Sequence, residues 1–482
     1  MTVREVFTGI CSVPESLADK EVAGVTSDSR EVKDGFVFVC IKGANFDGHS
    51  VAEKFRDVCA AVVTERPLGL ENEVTVRSTR EIYARLLSNF CGNPTRGLKL
   101  CAVTGTNGKT TVVNLCAQIV RNLGHSSGII GTLGTDTGGG LVYSHDGPPT
   151  TPEPRRLYEL FAEMKERGTE YCFIEASSQA LAQYRFAAEN FASAAFTNLT
   201  RDHLDYHGTM ENYFLAKRRL FGMCRNAVVN IDDEYGAQIA EYCRETGVPV
   251  YTVSTEKDAD YKAEFIKLLP DRSEFVLTDS AAGKSYPVRF RMTGLYNVLN
   301  AVEAAVTVHL TGIPLDEVIE SLTRIEGVSG RLETLYSGEK TVIRDYAHTE
   351  DGLKQLLSTL KPLCKGRLIT VFGAAGERDA GKRPDMGRAA AEFSDLLIVT
   401  TDSPRHEDPQ KTIDDVVRGI PEGVLYEEFV DRKEAVIRAL ELARKGDVVA
   451  LCGKGHEDYQ AIGDEYLHFD EREIVEEYFR NK

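Results

Sequence analysis

Residues 100–111 read LCAVTGTNGKTT, with two glycines close together and a lysine and two threonines directly after them. Those residue types at that spacing suit the grip of a polyphosphate. Backbone N–H groups in a glycine turn, and the positive end of the helix that follows, converge on an anion. Lys109 would reach the outer phosphates of a nucleotide, and the Thr110 hydroxyl would ligate Mg²⁺. The usual loop carries a further glycine five residues before the second; here that position is Val103, so the loop is a shortened variant, GTNGKT. Nucleoside triphosphate binding is expected of it, in preference to a glycine-rich surface turn.

The elements that must position this loop are legible on either side. The apolar run 100–103 reads as a buried parallel strand, and KTTVVNLCAQIVRNLG has helical periodicity. Further apolar runs end in polar residues. EYCFIEASSQAL places Glu175 at a strand end, and FASAAFTNLTRDHLDYHGT places Asn198, Asp202 and His203 at another. In open parallel sheets ligands bind beyond the carboxyl ends of strands, so Glu175 and His203 fall where a metal and phosphates would lie. TMENYFLAKRRLF reads as a helix capped at Thr209, in which Lys217 reads by chemistry alone as a solvated cation. In the helix of residues 294–310, Asn297 and Asn300 stand three apart on one face and could read a base or ribose, or cap the helix.

Alternation restarts after about residue 330, with strands in KTVIRDYA, RLITVFGAAG, DLLIVTTDSP and DVVALCGKG. A second parallel sheet of Rossmann type is expected there. Its strands end in polar clusters: Asp345 and His348; Arg378 and Asp379; Asp402, Ser403 and Arg405; Lys454, His456 and Glu457. Such clusters on one sheet edge point to a cleft, and the arginines suit carboxylates or phosphates. Residues 1–98 read as a small α/β unit with strands in GFVFVCI and CAAVVT and a polar helical stretch between them. Asp28, Ser29 and Arg30 fit a turn better than a ligand contact.

The length of 482 residues suits about three domains, expected at 1–98, 99–330 and 331–482. The class is α/β: a small N-terminal α/β domain, a central phosphate-loop ATPase-type parallel sheet, and a C-terminal Rossmann-like sheet. With 57 basic and 74 acidic residues the net charge is −17, which argues against nucleic acid and against an anionic membrane surface. Eleven scattered cysteines form no CxxC pair, and no run of 18 apolar residues occurs. The first residues hold no apolar stretch of signal-peptide length, so a cytoplasmic setting is expected; a monomer is expected as well.

TGTNGKTT, IEASSQAL, TNLTRDHLDYHGTMENYFLAKRRLF, YNVLNAVEAA, GRLE, DYAHTEDGL, GERDAGKRPDMG, TDSPR and GKGHEDYQ follow one another along essentially the whole chain. In this order they resemble the Mur ligase family. The resemblance implies an N-terminal domain for a UDP sugar, a central ATPase domain and a C-terminal domain for an incoming amino acid. It implies that Gly105, Thr106, Asn107, Gly108, Lys109, Thr110 and Thr111 hold ATP, with Asn297, Asn300, Arg331, Asp345 and His348 also touching the nucleotide. It implies Mg²⁺ on Thr110, Glu175, His203 and Lys217, the last carrying a CO₂-derived carbamate. Lys109, Lys217 and His203 are then the catalytic set. Ser29 and Asn45 would meet the uridine, and Thr150, Thr151, Ser177, Gln183 and Arg185 the muramoyl-dipeptide. Arg378, Asp402, Ser403, Pro404, Arg405, Gly453 and Glu457 would line the amino-acid pocket.

The reaction implied is ATP-dependent addition of meso-diaminopimelate to UDP-N-acetylmuramoyl-L-alanyl-D-glutamate through an acyl phosphate, in peptidoglycan precursor synthesis and hence in cell shape and division. One departure bears on the amino acid. DSPR stands where diaminopimelate-adding relatives usually carry DNPR, and Ser403 offers one hydroxyl in place of an amide. Arg405 is retained and suits the distal carboxylate that L-lysine, the alternative substrate, lacks. A nucleotide-binding scaffold without catalysis would be expected to have lost Lys109, Glu175, His203 or Lys217, and all four are present.

Overall fold

The computed structural model describes residues 1–43, 46–140, 150–187, 190–269 and 271–480. Three main sheets and a small hairpin organise the chain. The first sheet is parallel, β1 (Gly24–Thr26), β2 (Phe36–Val39), β3 (Ala61–Thr64) and β4 (Glu73–Thr75), in that spatial order. The polar stretch expected to be helical between β2 and β3 is a 3₁₀ segment, Gly48–Phe55, started by Asp47.

The second sheet contains β5 (Lys99–Thr104), β6 (Ser127–Gly131), β7 (Gly134–Asp136), β8 (Tyr171–Glu175), β9 (Ser193–Phe196), β10 (Ala227–Asn230) and β11 (Val250–Ser254). It continues into β12 (Tyr261–Leu269), β13 (Arg272–Asp279) and β14 (Lys284–Phe290). Its order is β14-β13-β12-β11-β10-β9-β5-β8-β6-β7. In β5 the side chains of Cys101 and Val103 join one core and those of Leu100 and Ala102 the other. Both faces are covered, which is why the strand reads as an unbroken apolar run. From β5 the chain moves to β8 and β6 on one side and to β9 and β10 on the other. The carboxyl end of β5 is thus a switch point, where open α/β sheets bind ligands.

Residues 261–290 depart from the strand–helix alternation expected of the central region. They form an antiparallel meander instead, β13 pairing with β12 and β14. The period-two burial of β13 carries this pattern.

The third sheet runs β15-β16-β20-β17-β18-β19. Its expected strands are β16 (Thr341–Asp345), β17 (Leu368–Phe372), β18 (Leu396–Thr400) and β20 (Val448–Cys452). Two edge strands join them, antiparallel β15 (Glu333–Ser337) and parallel β19 (Tyr426–Phe429). Both are partly exposed and polar, so neither produces an apolar run. A hairpin of β21 (Tyr459–Ile462) and β22 (Glu465–His468) follows. Among the described residues no helix is long and apolar enough to cross a membrane. All eleven cysteines are free thiols, with Cys101, Cys172 and Cys452 in the core.

Arg432 ties the ends of the third sheet together. It donates to the Cys452 carbonyl at 2.8 Å and the Thr401 carbonyl at 3.5 Å, and pairs with Glu471 at 2.8 Å. Both side chains of the pair are fully buried, so the ends of β18 and β20 are fixed where Asp402 and Gly453 begin. Removing one partner of a buried pair leaves an uncompensated charge. Glu471→Ala is therefore expected to destabilise this unit by about 3–5 kcal/mol, whereas adding Arg432→Leu recovers much of the loss. Calorimetric melting of the two variants checks this.

Candidate active site

Gly105 takes a φ of +152° and Gly108 a φ of +88°, and Gly108 opens the helix Lys109–Asn122. A Cβ on Gly105 would collide with the Thr197 hydroxyl, and one on Gly108 would stand 2.5 Å from the Asn300 amide oxygen. The backbone therefore passes where side chains cannot. Asn198 braces the loop: its Oδ1 accepts from Asn107 N at 2.9 Å, and its carbonyl accepts from Thr106 N at 2.9 Å.

Lys109 Nζ donates to the loop's own carbonyls, Gly105 O at 2.8 Å and Thr106 O at 2.9 Å. Lys217 Nζ donates to the same Gly105 O at 2.7 Å, buried to 1% exposure under the Tyr213 ring. The solvated-cation reading of Lys217 is therefore wrong. The helix Met210–Arg218, capped at Thr209, turns it inward with Tyr213 and Phe214. Burial, with the Lys109 charge adding, holds the Lys217 ammonium well below its ordinary range. Burial lowers Lys109 as well, opposed by Glu175 and Asp202.

Thr110 Oγ1 donates to Glu175 Oε2 at 3.0 Å, so two expected metal ligands meet as buried oxygen donors. Such a set fits Mg²⁺, which takes few protein oxygens and leaves the remaining positions to phosphate and water. Glu175 also accepts from Thr132 N at 2.8 Å. His203 stands apart from that pair, half-exposed in the left-handed region, 3.6 Å from Asp202. Burial and the Lys109 and Lys217 charges, against Asp202, keep its imidazole below its usual value. Among the described residues no three His, Cys, Asp or Glu side chains cluster as a metal site by themselves.

A cavity of about 270 Å³ opens from the loop, lined by Asn107, Gly108 and Thr111 at one end and by Asn230, Asp233 and Glu303 elsewhere. Asn297, Asn300, Arg331, Asp345 and His348 line it as well. Asn300 Nδ2 donates to Asn297 Oδ1 at 3.2 Å, and Asn297 Nδ2 to Thr293 O at 2.9 Å. Two contacts connect the third-sheet unit to the loop. Arg331 donates to Thr110 Oγ1 at 3.1 Å, and Asn107 Nδ2 to Asp351 Oδ2 at 2.8 Å. Asp351 lies in the first turn of the helix Glu350–Leu360, where an acid reads as dipole compensation, so sequence reasoning passed over it.

On the other side of Glu175, Thr151 Oγ1 donates to its carbonyl at 2.6 Å and accepts from Ser177 N at 3.0 Å. Arg185, buried, donates to Gln183 Oε1 at 2.9 Å and to the Thr151 carbonyl, and pairs with Glu153. Thr150 reaches Thr132 at 3.2 Å. These five residues form one connected patch. Ser29 lies in the turn after β1, where Asp28 accepts from Arg30 N at 2.9 Å, as a turn requires, and from the Arg30 side chain at 2.6 Å. Asn45 lies outside the described residues.

In the third-sheet unit Lys454, at 0% exposure, is a hub. It stands 3.3 Å from Asp402, 2.9 Å from Glu457 and 3.0 Å from Ser403 Oγ. Sequence reasoning placed it in a polar cluster without singling it out, and a lysine after a glycine gives no signal of burial. Burial would raise the Asp402 carboxyl, but Lys454 brings it below its ordinary value; burial raises Glu457. Pro404 is buried, Arg405 takes a φ of +53° with an unpartnered, enclosed Nε, and Arg378 is exposed. A Cβ on Gly453 would stand 2.9 Å from Asp402 Oδ2.

Three histidines around these sites are held neutral. Burial pulls His348 down to about 4, with the Lys382 charge adding, and His207 to about 4, with His203 adding. Burial and Arg331 pull His456 to about 3. In the unfolded chain each protonates near pH 6.5, so unfolding takes up protons below that value. Stability should therefore fall as pH drops from about 6.5 toward 4, and His348→Gln should flatten the slope; melting temperatures between pH 7.5 and 5 measure both.

The family model for the Mur ligase middle domain matches residues 103–308, and that for the Mur ligase, glutamate ligase domain matches residues 330–455. The UDP-N-acetylmuramoyl-L-alanyl-D-glutamate–2,6-diaminopimelate ligase of Clostridium perfringens is 39% identical over 477 residues, 96% of each chain. The ligase of the same description from Clostridium botulinum is 40% identical over 468 residues, 95% of each chain. A solved structure of a ligase so described superposes with a TM-score of 0.73 at 30% identity, covering 100% of this chain and 99% of that one. With its phosphate loop, its three sheets and these matches, the chain belongs to the Mur ligase family.

Proposed function

We propose that this chain is an ATP-dependent ligase that adds meso-diaminopimelate to the D-glutamate of UDP-N-acetylmuramoyl-L-alanyl-D-glutamate. The observation that carries the reading is the pairing of two sites across unit boundaries. The phosphate loop and the Thr151–Arg185 patch flank Glu175, and Arg331 and Asp351 bring the third-sheet unit onto that loop. Relatives about 39% identical over 96% of the chain carry this activity in their names.

The glutamate carboxylate attacks the γ-phosphorus of ATP, giving an acyl phosphate and ADP. The free amine of diaminopimelate then attacks the acyl carbon, and the tetrahedral intermediate collapses to the amide with loss of phosphate. A carboxylate approaching a triphosphate is repelled, so cations must face the reacting oxygens. Lys109, now on loop carbonyls, would transfer its ammonium to the outer phosphates. Thr110, Glu175, His203 and a carbamylated Lys217 would hold Mg²⁺, which supplies charge neutralisation at the phosphates. A neutral, buried Lys217 amine suits carbamylation, since R–NH₂ and CO₂ give R–NH–COO⁻ and a proton. Asn297, Asn300, Arg331, Asp345 and His348 would embrace the base and ribose, while Thr150, Thr151, Ser177, Gln183 and Arg185 orient the dipeptide. Ser29 and Asn45 would meet the uridine.

Diaminopimelate is favoured over L-lysine by two features. Ser403 Oγ already accepts from Lys454 and from Ala461 N at 3.2 Å, which leaves its O–H to donate to a carboxylate. The Arg405 guanidinium, whose enclosed Nε has no partner, suits that same carboxylate and would repel a lysine ammonium. Arg378, Asp402, Gly453 and Glu457 would hold the amino-acid head, making the amine's attack effectively intramolecular. A monomer working in the cytoplasm, feeding cell-wall growth and division, is the setting proposed.

Phosphate release with ATP, Mg²⁺ and the UDP-muramoyl-dipeptide tests the reading. Turnover is expected with meso-diaminopimelate and not with L-lysine or without amine. Lys217→Ala is expected to lower kcat on the order of 10²-fold or more. Equal turnover with lysine would reassign the pocket, and full activity of Lys217→Ala would remove the carbamate from the mechanism.

A further inference from the structure

The helix Leu295–His309 is sandwiched so thoroughly that eleven of its fifteen residues are buried. Asn297, Asn300 and Glu303 recur every three residues on its face, and all three line the cavity that opens from the phosphate loop. Asn300 sits against Gly108, and Glu303 lies about one helical turn, roughly 5 Å, farther along. That stretch of the lining, with Asn198, Asn230 and Asp233, carries amides and carboxyls and no cation, unlike the loop and Arg331. Phosphates belong at the loop, and a base belongs at the amide-lined end.

Most polar groups at that end are already engaged. Asp233 accepts from Leu199 N at 2.9 Å and Tyr235 N at 2.8 Å, and Asn230 donates to Thr197 O at 2.7 Å. Asn198 accepts from the loop at Asn107 N, and Asn297 donates to Thr293 O just before its helix. Glu303 differs. At 1% exposure its side chain has no hydrogen bond or ion pair among the described residues, and its Oε2 is enclosed without a partner. Burial, with Asp232 and Asp233 adding, holds its carboxyl well above the ordinary carboxylate range. A neutral carboxyl offers one O–H donor beside one carbonyl acceptor. That pair complements an exocyclic amine next to a ring nitrogen.

We infer that Glu303 reads the base of the bound nucleotide, its carboxyl accepting from the 6-amino group of adenine and donating to the adjacent ring nitrogen. The inference rests on the proposed ATP site and adds to it a residue that selects the base. Paired amide-type contacts to the same adenine edge discriminate by about tenfold or more.

Calorimetric titration of the full-length chain with ADP and with purine riboside 5′-diphosphate, which lacks only the amine, tests this. The unsubstituted chain should bind ADP about tenfold tighter. Glu303→Leu should bring that ratio to near one by weakening ADP alone, and should melt no lower, since it removes an unpartnered buried acid. Glu303→Gln, whose amide keeps an acceptor and a donor, should retain most of the preference. The same ADP-to-purine ratio in Glu303→Leu as in the unsubstituted chain overturns the assignment, as does a ratio of one before any substitution. Failure of the unsubstituted chain to bind either nucleotide would instead overturn the ATP site itself, and this inference with it.

Discussion

Lys109 and Lys217 donate to one and the same carbonyl oxygen, that of Gly105. Two ammonium groups on one buried oxygen repel by on the order of 3 kcal/mol at an effective dielectric near 20. Burial and this repulsion together disfavour holding both charges, and Glu175 and Asp202 offset only part of the cost. This constraint organises the rest of the centre. Second to burial, it depresses Lys217, and it leaves a concentrated demand for negative charge at the mouth of the helix Lys109–Asn122, where Lys109 lies folded back on its own loop. A polyphosphate answers it, and so would a carbamate on Lys217, which turns a repelled cation into an anionic ligand. The glycines keep the loop close to its neighbours, since a side chain at Gly105 would strike Thr197 and one at Gly108 would strike Asn300.

The chemistry proposed needs a second pocket brought onto the first. The third sheet supplies it through strand ends rather than loops of its own design. Arg432, buried against Glu471, clamps β18 and β20, and the next residues out are Asp402 and Gly453. Lys454 then draws Asp402, Ser403 and Glu457 around one ammonium. Arg331 and Asp351 carry this unit to Thr110 and Asn107, which brings the proposed nucleotide and amino-acid pockets into one cleft.

Much of this was legible because its signals are local. The phosphate loop is a short pattern of glycine, lysine and threonine after an apolar strand, and strand ends in a parallel sheet announce where ligands lie. Asn297 and Asn300 show their common face by spacing alone. What was not legible depends on distant packing. Lys217 sits in a basic run and reads as solvated, and only its tertiary contacts around Gly105 bury it; its proposed role comes from the family resemblance and not from local chemistry. Glu303 is an acidic residue in an apolar helix, which spacing cannot mark as enclosed without knowing that two helices and the central sheet pack against that helix. The edge strands β15 and β19 are half-exposed and polar, and the β12–β14 meander interrupts an alternation that its neighbours keep.

The most direct test of the cleft's purpose follows an oxygen atom. UDP-N-acetylmuramoyl-L-alanyl-D-glutamate labelled with oxygen-18 in the glutamate side-chain carboxylate is turned over with ATP, Mg²⁺ and meso-diaminopimelate, and the released phosphate is examined by mass spectrometry. One carboxylate oxygen should appear in the phosphate, because the carboxylate attacks the γ-phosphorus and the amine later expels that oxygen with it. Amide product accompanied by unlabelled phosphate would contradict the acyl phosphate, and with it the claim that the two pockets meet to activate a carboxylate.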